Sequence, residues 1–164
     1  MFKSLKIIVI LMTFWNPGFA QSNWANGISE RLGTFEKNYL YPSVLRALNL
    51  TQSEEFNRLI EDISYIRVLR IDSTFIEKNK DLKPGSESKL KDEGFKYLGA
   101  LQDNKGGTKT LYVKEEDSII KEFLVFVKNQ NSLLIVEVVG NINIKHLSDL
   151  AKIDYEGFNE FVGL

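Results

Sequence analysis

The chain has 164 residues, with 21 lysines and arginines against 22 aspartates and glutamates, one histidine and no cysteine. A formal charge of −1 leaves no basic surplus to hold phosphates and excludes a nucleic-acid binder on charge. Lack of cysteine excludes disulfides, thiolate metal ligands and a lipid-bearing N-terminal cysteine, while 43% hydrophobic and 12% aromatic content is ordinary globular material.

Residues 1–20 read as a secretory signal peptide. Lys3 and Lys6 give a positive start, Ile7 to Trp15 is an almost unbroken apolar run, and Pro17, Gly18 and Ala20 supply breakers and small residues. Cleavage is expected between Ala20 and Gln21. The apolar run is about half of the ~20 residues that span a bilayer, so no stable membrane span is expected after cleavage. The remaining 144 residues, 21–164, carry 19 basic and 22 acidic side chains and fit one domain. An exported chain without cysteine points to the bacterial envelope, periplasmic or secreted, because small animal secreted domains are usually disulfide-rich.

Trp24, Ile28, Leu32, Phe35 and Tyr39 recur at helical spacing and predict a helix over 24–39. Gly27 and Gly33 each weaken it by about 1 kcal/mol relative to alanine, so it should form only when docked. Tyr41 to Leu48 is expected as a first strand, with Pro42 restricting it to a start or an edge. Thr51 and Glu54 make a capping box, and Phe56, Leu59, Ile60 and Ile63 give the next helix its buried stripe. Tyr65 to Ile71 is a strand by its aromatic and β-branched content. Lys78 to Lys91, with Pro84-Gly85, is expected as one surface loop with at most a helical turn.

A four-stranded meander follows: Phe95 to Leu101, Thr108 to Lys114, Ile119 to Lys128 and Leu133 to Val139. Its turns fall at 103–107, 115–117 and 129–132, and Gly140 ends it. Residues 119–127 are apolar on both sides and belong at the centre. Asn143 is the expected N-cap of a last helix through Ile144, Leu147, Leu150 and Ala151, whose face Tyr155, Phe158 and Phe161 continue. The order predicts an α+β domain: an antiparallel sheet of the meander plus one or two N-terminal strands, with helices packed on one face.

Several of these segments resemble the domain-of-unknown-function 4252 family. They are Tyr41 to Arg46, Phe56 to Leu69, Gly94 to Leu98, Leu111 to Lys114, Ile120 to Val127, and Leu134 to Leu147 with its strand ending Val138-Val139-Gly140-Asn141. The resemblance covers most of the mature chain. It implies a short exported protein of Bacteroidetes-type bacteria, an α+β fold and no established activity. Frequent proximity of such proteins to extracytoplasmic sigma-factor systems implies envelope signalling. Many members look like lipoproteins, but this chain lacks the cysteine.

No residue cluster predicts catalysis, a cofactor or a metal. His146 lies two and three residues from Ser148 and Asp149 on a predicted helix, which does not converge them as a triad. One histidine and no cysteine exclude the usual zinc sets. Gly106-Gly107 lacks the context of a phosphate loop. Acidic pairs at 54–55, 61–62, 92–93 and 115–117 lack the alternation of a calcium loop.

Glu122 and Glu137 are different, because both fall within predicted strands. They are either cross-strand partners of Lys121, Arg67 or Arg70, a contact worth ~0.2–1 kcal/mol, or a carboxylate pair of hydrolase type. Strands 64–71 and 108–114 have mixed second faces, the latter carrying Thr108, Thr110, Tyr112 and Lys114. That face is either covered by the 24–39 helix or is an interaction surface. Ser118, in Asp117-Ser118-Ile119, is a candidate glycan acceptor, and Asp72-Ser73-Thr74 has the same pattern. The expected function is non-catalytic binding or sensing of an unidentified envelope protein or ligand. A hydrolase using Glu122 and Glu137, or a structural partner of an envelope complex, is the alternative.

Overall fold

A computed structural model describes residues 26–28, 30, 37–48, 54–78, 87–102, 107–128 and 132–152. The signal segment with its Ala20–Gln21 cleavage point, the Thr51 cap, the tip of the 103–107 turn and the 155–161 continuation lie outside the described residues.

Residues 26–28 and 30 are helical. Next come strand β1 (Lys37–Leu40), helix α1 (Pro42–Leu48), helix α2 (Glu54–Glu61), strand β2 (Ile63–Asp72), and helices α3 (Ser73–Lys78) and α4 (Glu87–Asp92). The meander is β3 (Phe95–Gln102), β4 (Thr108–Glu116), β5 (Ile119–Lys128) and β6 (Ser132–Ile142). A 3-10 turn (Ile144–His146) then leads into helix α5 (Leu147–Lys152). Among the described residues six strands form one sheet in the order β1-β2-β6-β5-β4-β3, and every pairing is antiparallel. The α+β antiparallel architecture is therefore the expected one, and β5 is central as its two-sided apolar pattern requires.

Local chemistry moved three elements. Pro42 starts a helix rather than a strand, because its fixed φ and missing N–H suit the first helical turn, and the Tyr41 carbonyl accepts from Leu45 N at 3.0 Å. The chain just before it, Lys37–Leu40, is a strand paired to β2, not the end of a helix. Ile63 opens β2 instead of closing α2. Asp72 caps α3, an element absent from the expectation: its Oδ1 accepts from the Thr74 N–H and hydroxyl, each at 2.7 Å. Hydrogen bonding from Thr74 also holds the Asp72 carboxyl below the usual carboxylate range.

The two-residue turn Asp117-Ser118, both at positive φ (51° and 63°), joins β4 to β5. This is the primed turn favoured by tight hairpins, and it carries β4 on to Glu116, where the sequence suggested a turn at 115–117. Gly140 does not end its strand. β6 continues to Ile142, and a Cβ at 140 would sit 2.1 Å from the Asp62 carbonyl oxygen. The glycine lets the start of β2 press against β6, where Asn141 N donates to Asp62 O at 2.8 Å.

Helical cover is divided between the two faces. On the first face Leu45 of α1, Ile60 of α2, and Leu150 and Ala151 of α5 pack over Ile66, Phe123, Val125, Val136 and Val138. On the second, Ile28, Leu90 of α4 and Phe75 of α3 pack over Leu69, Ile71, Leu124, Phe126, Leu133 and Ile135. The sheet thus buries both faces, and Ile28 places part of the predicted 24–39 helix over the second. Among the described residues no helix is long and apolar enough to cross a membrane.

Candidate functional site: a charged row on the second sheet face

The strand registers arrange the second face in rows. One row crosses all six strands: Tyr39, Arg67, Glu137, Leu124, Tyr112, Tyr97. The next row runs Tyr65, Val139, Glu122, Lys114, Phe95. One end of this face is therefore apolar and the other holds two acids, two bases and tyrosines. Period-two alternation put these groups on one side, but only the register put them next to each other.

Arg67 and Glu137 are partners on β2 and β6, and Nη2 stands 2.6 Å from Oε2. Both side chains are buried, at 0% and 1% exposure. Arg67 Nη1 also donates to Asn26 Oδ1 at 2.7 Å, which ties the N-terminal helical residues to the sheet. Burial pushes the Tyr39 hydroxyl up, but Arg67 and Lys37 beside it outweigh that and leave it below the ordinary tyrosine value. Tyr39, Tyr41 and Tyr65 form an aromatic group, with Tyr39 edge-on to Tyr65 at 5.8 Å. Burial, with the Glu137 carboxylate, drives the Tyr65 hydroxyl well above the usual tyrosine range.

Glu122 is 2% exposed. Its Oε1 accepts from Lys114 Nζ at 3.2 Å, and its buried Oε2 has no hydrogen-bond partner among the described residues. Burial raises the Glu122 carboxyl to about 7, against the pull of Lys114 and with the push of Glu137 and Glu93. Lys114 also lies 5.9 Å above the Phe95 ring.

Of the three cations expected beside the acids, Arg67 is the partner of Glu137. Lys121 instead donates to Asn141 Oδ1 at 2.8 Å, and Arg70 pairs in register with Leu134. Lys114 was missed as the partner of Glu122. The signal for it was the Asp117-Ser118 turn: counting back from it, with one bulge between Lys114 and Glu115, sets Lys114 against Glu122. His146 lies in the 3-10 turn, capped by Asn143, whose side chain accepts from Lys145 N. Ser148 is exposed. Ser118 is exposed at the tip of the β4–β5 turn. Among the described residues no group of three or more His, Asp or Glu is gathered to hold a metal.

The opposite edge of the sheet is β3. It is eight residues long, and Tyr97, Leu98 and Leu101 are 54%, 49% and 48% exposed. A bulge between Tyr97 and Gly99 makes Leu98 the extra residue. Lys96, the strand's one charge, is tied to Glu115 at 2.7 Å.

Fold and face together define a class: an antiparallel α+β domain whose in-strand acids are matched by in-strand bases. The chain matches the model of a family described as Domain of unknown function (DUF4252) over residues 34–150, and it belongs to that family. No curated protein matches the chain, and no solved structure does.

Proposed function

We propose that this protein is an exported, non-catalytic binding or sensing module of the bacterial cell envelope. Its docking element is the β3 edge, along which a protein partner lays an apolar segment. The observation that carries this reading is the edge itself: a long outer strand with three half-exposed large apolar side chains and a single charge, which is paired to the neighbouring strand. Soluble proteins blunt such edges with charges, prolines or bulges; here the bulge at Leu98 interrupts the edge, and the apolar strand on either side of it suits strand addition. Export rests on the signal-like sequence of residues 1–20.

The second reading, a hydrolase acting through Glu122 and Glu137, is favoured by one observation, the raised Glu122 carboxyl. Against it stand the burial of both acids and the cation bound to each.

The test is site-specific photo-cross-linking in cells from position 98, with exposed Ile144 as the control position, beside complementation of a deletion strain. A discrete protein adduct from 98 and none from 144, with loss of complementation by Leu98→Lys, is expected. Equal adducts from both positions, or full complementation by Leu98→Lys, would sink the docking reading. Loss of function in a folded Glu137→Gln protein, with Leu98→Lys active, would favour the hydrolase.

A further inference from the structure

Glu122 sits where a proton has consequences. Its side chain is sealed between β4 and β6, with one oxygen on Lys114 and the other, buried, without a hydrogen-bond partner among the described residues. Lys114 is the link to the outside: its side chain is 19% exposed, its ammonium lies over the Phe95 ring, and Phe95 is the first residue of the edge strand. Gly94, at φ +88°, makes the sharp entry into that strand, with the Lys114 Cε 3.9 Å from where its Cβ would be. The groups that act on Glu122 are Lys114 from β4, Glu137 from β6 with Arg67 behind it on β2, Tyr65 from β2, and Glu93 from the turn before β3.

We infer that Glu122 is a proton switch that fixes or frees Lys114 at the root of the β3 edge. When Glu122 is ionised, its charge holds Lys114 across the β4–β5 pair and over Phe95. When Oε2 takes a proton from solvent, that attraction is lost, and the partly exposed ammonium moves out into water. Burial places the exchange near neutral pH, within the range that an envelope protein meets. The counter-ion of Glu137 differs in kind: it is a fully buried arginine with no water to move to.

The inference rests on the proposed docking role of β3 for its purpose alone, and proton uptake is measured without any partner. Carbon-13 NMR of the carboxyls in the full mature chain is expected to show one glutamate titrating near 7, absent in Glu122→Gln. Lys114 ε-carbon and Phe95 ring signals should move with the same midpoint. In Glu122→Gln they should stay at their low-pH positions at every pH. Lys114→Met should move the Glu122 midpoint further up, because the lysine favours the ionised form. A Glu122 midpoint near the ordinary ~4.3 overturns the inference. So does a midpoint near 7 with Lys114 and Phe95 signals that stay still. If Glu122→Gln does not fold, the Lys114→Met shift and the native titration decide alone. Equal cross-linking from positions 98 and 144 with the titration intact would remove the docking reading and leave the switch.

Discussion

The Arg67–Glu137 and Lys114–Glu122 pairs sit one strand apart on the same sheet face and have the same formal chemistry, yet their surroundings differ. The first lies between β2 and β6, inside the sheet, with both partners sealed and Asn26 holding a second guanidinium nitrogen. The second lies between β5 and β4, one strand from the open edge, and its lysine reaches water. A sealed arginine pair offers no escape for either charge, so it acts as a fixed joint. Position in the strand order and the kind of counter-ion together separate a sealed pair from one whose cation reaches water.

The largest test of that contrast is to remove each cation. Arg67→Ala leaves Glu137 buried without its cation and should cost ~3–5 kcal/mol, similar to Phe123→Ala in the centre of β5, where the side chain is 0% exposed. Lys114→Ala should cost about 1 kcal/mol or less, because Glu122 takes up a proton instead of standing as a bare charge. Denaturant midpoints compare the three, and equal losses at 67 and 114 would erase the distinction. The ~0.2–1 kcal/mol of a cross-strand pair in general does not describe this loss, which is the cost of leaving Glu137 buried without its cation.

Next comes pH. The folded Glu122 carboxyl is raised from 4.5 to about 7, so the native chain holds a proton that the unfolded chain has released. Stability from this group is fully present below about 4.5, falls as pH rises through about 7, and levels off above. A span of up to about 3 kcal/mol follows at ~1.4 kcal/mol per pH unit. Glu122→Gln should flatten this slope in melts between pH 5 and 8 and should be the more stable protein at pH 8. An unchanged slope would mean that another group carries it.

The smallest effect belongs to the exposed edge. The Lys96–Glu115 pair is 2.7 Å long, but Lys96 is 66% exposed, so Lys96→Ala should cost under about 0.5 kcal/mol. A loss as large as that at Arg67 would show that the edge is packed in solution and not free to bind. Thermal melts at low and high salt check it, because an exposed pair is screened and a buried one is not.

Much of this molecule was legible from residue order. The meander strands, the centrality of 119–128 and the Asn143 cap follow from period-two patterning, turn residues and side-chain capping, which are local. So did the possibility that Arg67 faces Glu137, since both are charged residues inside otherwise apolar strands. The signal-like start is also written in composition, independent of any fold. What local rules missed were cases where two local readings compete. Pro42 is tolerated at a strand edge as well as in a first helical turn; the strand here is Lys37–Leu40, paired with β2, and Pro42 takes the helical start that its fixed φ suits. Gly140 is a plausible strand end, and only the approach of the Asp62 carbonyl shows why it must be glycine within a strand. The partner of Glu122 depended on a one-residue bulge beside a two-residue turn, and a shift of that size changes every neighbour across the ladder. The sequence by itself determined which residues alternate inward and where the chain turns, because those depend on adjacent residues. Register, the division of helices between two faces, and the contrast between a sealed and a releasable ion pair were decided by tertiary structure. They depend on which strand lies beside which and on how far each charge stands from water.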